Sequence, residues 1–312
     1  MPLLGTRAGT SVRAYGLLSA APKSVVTGGT LASDATYYYR AFTGNGTLAI
    51  TGSPLLCDYI IVAGGGPGAY GGGGGGGGGF RAFTSTLAIG SYNAVIGGGG
   101  TYYSNGSNTT FNSLTSTGGG QGATVGTNAG NGGSGGGGAS SNGAGKSPGT
   151  GNAGSYSPSE GNAGGNGGGT SVSGDGGGGG GGGVGGVGNI NGTGTGGYGG
   201  QSVTTYSDWG TATSTGQFSP TPAYGWYSGG GGGGSYQIQY SAFGYNGGDG
   251  GWALSNGTNN PFFKTNSGLF FSDAYPDTGG GGGGGGSNNG NSFIAGRGGG
   301  GLVIVRYLKS AV

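Results

Sequence analysis

The 312-residue chain has no histidine. It cannot assemble a Ser-His-Asp relay, a Cys-His pair or an imidazole metal site. Its one cysteine, Cys57, opens an apolar stretch and reads as a small buried hydrophobe rather than a nucleophile. A single cysteine also excludes an internal disulfide. Among the eight acidic residues, Asp273 and Asp277 are the pair within one turn of each other. Two carboxylates can cleave a glycosidic bond, but Tyr275-Pro276 between them predicts a turn. Gly174-Asp175-Gly176 and Gly247-Gly248-Asp249-Gly250 have the glycine–aspartate composition of calcium-binding repeats without their nine-residue period. Gly145-Lys146-Ser147 lacks the upstream spacing, strand and helix of a phosphate loop. No enzyme is legible, and no metal or cofactor is expected.

What remains is aromatic. Nineteen Tyr, eleven Phe and three Trp are present, many of them in segments rich in Ser, Asn and Gly. Rigid amphipathic rings among small hydrogen-bonding residues make adaptable binding surfaces. The candidates for such a surface are Tyr206, Trp209, Tyr224, Trp226 and Tyr227 in 201–228, Tyr240 and Tyr245 in 235–246, and Trp252, Phe262, Phe263, Phe270 and Phe271 in 252–278. The competing reading is that each ring caps the structure beneath it, because large rings are usually buried.

The elements that carry these segments are unusual. Ninety-eight residues are glycine, in unbroken runs at 71–79, 176–183, 229–234 and 279–286. Ordering a residue costs roughly 1–2 kcal/mol, and glycine loses the most freedom. Ordered runs must therefore be held by their own backbone. Disordered chains are highly charged and poor in aromatics, whereas this one has ten basic and eight acidic residues. Collagen needs glycine at every third position, and these glycines are contiguous. Polyproline-II geometry fits: three residues per turn, a rise near 3.1 Å and no internal hydrogen bonds. Without a Cβ, neighbouring glycine rods can exchange N–H···O bonds. Candidate rods are 64–79, 97–100, 118–122, 130–138, 161–169, 174–188, 192–200, 229–234, 247–251, 279–286 and 296–301.

Strand patterns lie at the glycine-poor ends. Residues 37–42 (YYYRAF) and 47–51 (TLAIT) flank Thr43-Gly44-Asn45-Gly46 and predict a hairpin; 80–89 and 92–96 predict another around Gly90-Ser91. Residues 58–63 (DYIIVA) and 302–308 (LVIVRYL) are continuous apolar runs of the kind that mark strands buried on both faces. Pairing between 59–62 and 302–307 would close a β-core from the two ends of the chain. The expected fold class is therefore all-β: a small antiparallel β-sandwich with an inserted glycine-rich polyglycine-II helix bundle and essentially no α-helix. The expected division is an N-terminal attachment arm at 1–29, a sandwich base at 30–100 plus 302–312, and the bundle with its aromatic tip loops at 101–301. The net charge of +2 offers no patch for nucleic acid, and no apolar stretch approaches a membrane span. Residues 1–22 place Arg7 and Arg13 ahead of a short apolar stretch that includes Tyr15, Leu17 and Leu18. That stretch is too short for a secretory signal and reads as an ordered arm.

In DYIIVAGGG (58–66), the poly-glycine ending in GFR (79–81), TLAIGSYNAVIGGGG (86–100) and GRGGGGLVIVRY (296–307), the chain resembles glycine-rich tail-fibre and adhesin proteins of tailed bacteriophages. MPLLGTRAGTSVRAYG is similar to the start of structural proteins of marine phages. The resemblance implies a β-rich base carrying a polyglycine-II sandwich, with tip loops that bind a host surface glycan or outer-membrane protein. It also implies a virion, extracellular location and a homotrimer. The arm, through Arg7, Arg13, Tyr15, Leu17 and Leu18, would attach to other virion or tail proteins. A purely structural spacer without receptor binding is the alternative.

Overall fold

Two apolar strands set the architecture. β5 (Leu55–Val62) and β14 (Leu302–Leu308) are apolar on successive residues, so each needs cover on both faces. They lie side by side, antiparallel, with Leu302 opposite Val62 and Val305 opposite Tyr59, and so join the two ends of the chain. The computed structural model describes residues 22–69, 72–139, 145–167, 181–183, 197–216, 225–234, 273–285 and 295–312, with the short paired segments 265–266, 269–270, 287–288 and 291–292. The arm residues Arg7, Arg13, Tyr15, Leu17 and Leu18 fall outside the described residues.

The fold is all-β, as expected. One five-stranded sheet has the order β2 (Thr30–Ser33), β3 (Tyr37–Phe42), β14, β5, β6 (Phe80–Leu87). The other runs β1 (Val25–Thr27), β4 (Gly46–Thr51), β7 (Gly90–Val95), β8 (Thr109–Phe111), β9 (Leu114–Ser116). Between them lies a core that includes Leu48, Ile50, Leu55, Tyr59, Ile61, Phe111, Val303 and Val305. The opposite face of the β14 sheet carries Tyr39, Ile60, Val62, Phe80, Leu302 and Ile304, buried as a second cluster. Alternate residues of β5 and β14 feed the two cores, which accounts for their unbroken apolar runs.

Neither expected hairpin forms. β3 and β4 belong to different sheets, as do β6 and β7. The 43–45 link is thus an arch across the core, with the Phe42 ring folded against Gly46, where a Cβ would come within 2.9 Å of it. β14 needs a partner along each edge and takes β3 on one and β5 on the other, leaving β4 to β1 and β7. The sandwich also draws on more chain than expected. β1 lies within the segment assigned to the arm, and β8 and β9 come from the segment assigned to the bundle.

Glycine segments grow directly out of the strands. β5 runs into 63–69 and 72–79 runs into β6, and the first bond beyond that ladder is Ala63 N–H to Gly79 C=O, 3.0 Å. The stretch 64–79, expected as one rod, is two antiparallel segments: Gly66 N–H donates to Gly76 C=O and Ala69 N–H to Gly73 C=O. The N–H groups of Gly73, Gly76 and Gly79 donate to Ala123, Gly120 and Thr117. Gly75 and Gly78 donate to Gly282 and Gly279, and Gly77 to Gly182. Ser134 and Gly137 donate to Gly77 and Gly74, while Gly231 and Gly234 donate to Gly75 and Gly72. Among the described residues the central segment bonds to six others, 63–69, 117–123, 134–137, 181–182, 231–234 and 279–282, and along all but 181–182, which makes one bond, the partners advance by three residues. Two short antiparallel pairs, β10 (Thr265–Asn266) with β11 (Leu269–Phe270) and β12 (Ser287–Asn288) with β13 (Asn291–Ser292), lie in the C-terminal part of the insertion.

Where 72–79 becomes β6, a wholly buried carboxylate pins the junction. Glu160 accepts from Thr117 N–H (2.8 Å), Gly154 N–H (3.3 Å) and the Ser116 hydroxyl (3.4 Å), and its own carbonyl accepts from Phe80 N–H (3.0 Å). These donors leave neither side-chain oxygen unpaired in the interior.

Candidate functional site

The outer face of the β14 sheet is covered by one short helix, α1 (Ser207–Thr213), the one helix longer than a single turn among the described residues. It ends where Ser214 turns left-handed (φ 54°). The helix sits very close to the chain returning at Gly225, since a Cβ on Gly210 would fall 2.2 Å from the Gly225 Cα. A bridge between Val203 and Tyr227 ties the ends of this cover together.

The cover is aromatic. Trp209 and Tyr227 are buried against the sheet. Trp209 meets Tyr39 edge-on at 6.2 Å and Tyr206 at 5.1 Å and 85°. Phe80 lies 5.3 Å from Tyr206 and 6.3 Å from Tyr227, and the Tyr227 hydroxyl is 3.1 Å from Thr215 Oγ1. Two candidate receptor residues, Trp209 and Tyr227, are therefore core residues: an apolar sheet face with no second sheet over it needs large rings to exclude water. Tyr206 and Trp226 are half-buried. Tyr224, Tyr240, Tyr245, Trp252, Phe262, Phe263 and Phe271 lie outside the described residues, and Phe270 is described as part of β11.

One register row beyond the apolar cluster, the same face turns polar. Tyr39, Arg306, Asp58 and Thr84 are successive neighbours across four strands. Arg306 donates to Asp58 Oδ2 at 2.6 Å, and the Thr84 hydroxyl donates to Asp58 Oδ1 at 2.7 Å. The guanidinium lies 4.3 Å from the Tyr37 ring centre and 4.5 Å from that of Trp209. Among the described residues Arg306 Nε is buried without a hydrogen-bond acceptor. Burial pulls the Asp58 carboxyl upward, but the Thr84 hydroxyl and Arg306 outweigh it and hold it below the usual range. Burial, then the bond to Asp34 (2.5 Å), pushes the Tyr39 phenol up. A cavity of about 280 Å³ opens here, lined by Asp58, Ala82, Thr84, Tyr206, Trp209 and Arg306.

Elsewhere the chemistry is structural. Cys57 is buried in the inner core, and burial, with Asp58 nearby, pushes its thiol up to about 12. Asp273 Oδ1 accepts the Arg297 backbone N–H at 2.8 Å, and Asp277 sits in a tight turn at φ 58°. No group of His, Cys, Asp and Glu among the described residues could hold a metal ion, and no helix among them is long and apolar enough to cross a membrane.

Sequence reasoning missed two features: the polar row, and an exposed patch formed by Tyr102 (47%) and Tyr103 (69%), rings 6.1 Å apart. Tyr103 has φ 60°, a conformation a bulky residue adopts at some strain. Its tyrosine pair was legible, but nothing in sequence distinguished it from the buried ones. No family model, curated protein or solved structure matches the chain.

Proposed function

We propose that the chain is an attachment protein of the phage tail-fibre or adhesin kind, whose glycine segments are polyglycine-II rods that carry binding loops to a host surface. One observation supports this above the others: the rods are held by backbone hydrogen bonds repeating every three residues, the repeat of a threefold extended helix. A scaffold stabilised by its main chain leaves side chains free for recognition at the connections. Residues 235–246 and 252–278 hold most of the remaining candidate aromatics, and the exposed Tyr102–Tyr103 pair adds another. The arm at 1–21 would join a neighbouring virion protein, and host glycan or outer-membrane protein would be the receptor.

The spacer reading draws on a specific observation. In 201–228, Trp209 and Tyr227 pack on the sandwich rather than standing on a tip loop. Adsorption separates the two. Labelled full-length protein should bind a subset of bacterial strains and lose that binding when residues 240, 245, 252, 262 and 263 are replaced together by serine, without loss of thermal stability. A spacer binds no strain, or binds equally with the loops replaced.

A further inference from the structure

We propose that the cavity beside α1, over β5, β6 and β14, is a binding site for a neutral, polyhydroxylated ligand the size of one sugar residue, separate from any site on the loops. Size comes first. Small-molecule sites usually measure about 300–1,000 Å³, so about 280 Å³ admits a single ring and excludes an oligomer.

Charge narrows the class. The polar side holds one cation and one anion bonded to each other, Arg306 and Asp58. A carboxylate or phosphate entering here meets Asp58, and an ammonium meets Arg306. Hydroxyl groups both donate and accept. They can donate to Asp58 and accept from Arg306, whose Nε is buried without an acceptor among the described residues, while the Thr84 hydroxyl is held on Asp58. Alongside the pair, Tyr206 and the edge of the nearly buried Trp209 complete the lining with apolar surface for the C–H face of a ring. The Arg306 and Asp58 side chains keep 25% and 31% of their exposure, so the pair is reachable from solvent. All three polar residues stand on paired strands rather than a loop, so the geometry exists before the ligand arrives.

The test uses the full chain with Trp226 and Trp252 changed to Phe, so that Trp209 is the sole indole. Methyl glycosides of glucose, galactose, mannose and N-acetylglucosamine are titrated at millimolar concentrations, following Trp209 emission and, by NMR, its indole N–H and the Thr84 amide. At least one neutral glycoside should shift both, with glucuronate and glucosamine weaker. Thr84→Val should weaken binding by about threefold to tenfold, because it removes the hydroxyl that holds Asp58 in place, and Tyr206→Ala should weaken it as well. The proposal is overturned if no neutral glycoside perturbs Trp209 and Thr84 in the otherwise wild-type chain, if the charged sugars bind as tightly, or if both variants bind unchanged. The NMR comparison needs neither Thr84 nor Tyr206 variant, so misfolding of one leaves the answer intact. Because it reads only the base, it is also independent of whether the loops adsorb to cells.

Discussion

Asp58 shows how little of a side chain's role is local. In sequence it is the polar start of an apolar strand; in the fold it meets Arg306, 248 residues away. Burial raises its carboxyl, and the Thr84 hydroxyl and Arg306 lower it further than burial raises it. A depressed carboxylate stabilises the fold fully above its unfolded value, near pH 4, and loses that contribution as pH falls through the lower folded value. Asp58→Asn should therefore lower stability at pH 7 by about 1 kcal/mol, a modest figure because the pair is partly exposed. The gap to wild type should close below about pH 4. Thermal melts from pH 7 down to pH 2 check this, and a gap that persists undiminished into acid would refute it. Cys57 was legible as a buried thiol because it heads a strand with inward alternation. Glu160 was not: nothing in its neighbourhood signals a side chain held by the Ser116 hydroxyl and the Thr117 amide, more than forty residues away.

The glycine segments pack backbone to backbone only because nothing projects from them. At Gly75 an added Cβ would lie 2.1 Å from the Gly66 carbonyl oxygen, yet at Gly98, also in a glycine segment, no atom lies within 4 Å. Gly75→Ala should separate neighbouring rods and strand backbone groups at about 1–3 kcal/mol apiece. Gly98→Ala should stay within about 0.5 kcal/mol. Chemical denaturation of the two variants makes the comparison, and equal midpoints would mean that the glycine segments contribute no packing. Strands were legible at this scale wherever apolar residues ran together, and the β5–β14 pairing followed from their composition. Which strands become neighbours was not legible. A Gly-Asn-Gly link serves a hairpin or an arch equally well, and the choice rests with β14, which lies hundreds of residues away and claims both its edges.

For the molecule as a whole, the resemblance to fibre proteins implies a homotrimer, and a β-core of few strands would favour one as well, because small cores are marginal alone. The two five-stranded sheets and the second cluster under α1 enlarge that core, so the case for assembly now rests on the resemblance to fibre proteins. Exposed Leu56 (61%) and Leu308 (44%) stand on the outer face of the β14 sheet, beyond the polar row. Light scattering on the purified full chain should give three times the chain mass, and Leu56→Asp with Leu308→Asp should reduce it. A single-chain mass for the parent protein would refute the trimer. The all-β fold was legible because apolar strands bracket a glycine-rich middle. The arrangement of rods around 72–79 was not, since identical glycines carry no mark of which neighbour each will meet.

The three-residue step between partners reaches back to the gene. Repetitive glycine codons invite replication slippage, and its effect on the product depends on arithmetic. On the threefold geometry proposed for the runs, gaining or losing three codons would turn a segment through a full revolution and return every amide to the side it faced before. One or two codons leave each downstream amide aimed a third of a turn away from its acceptor. Lineages of this gene should consequently drift in rod length by threes, with the connecting loops free of that rule.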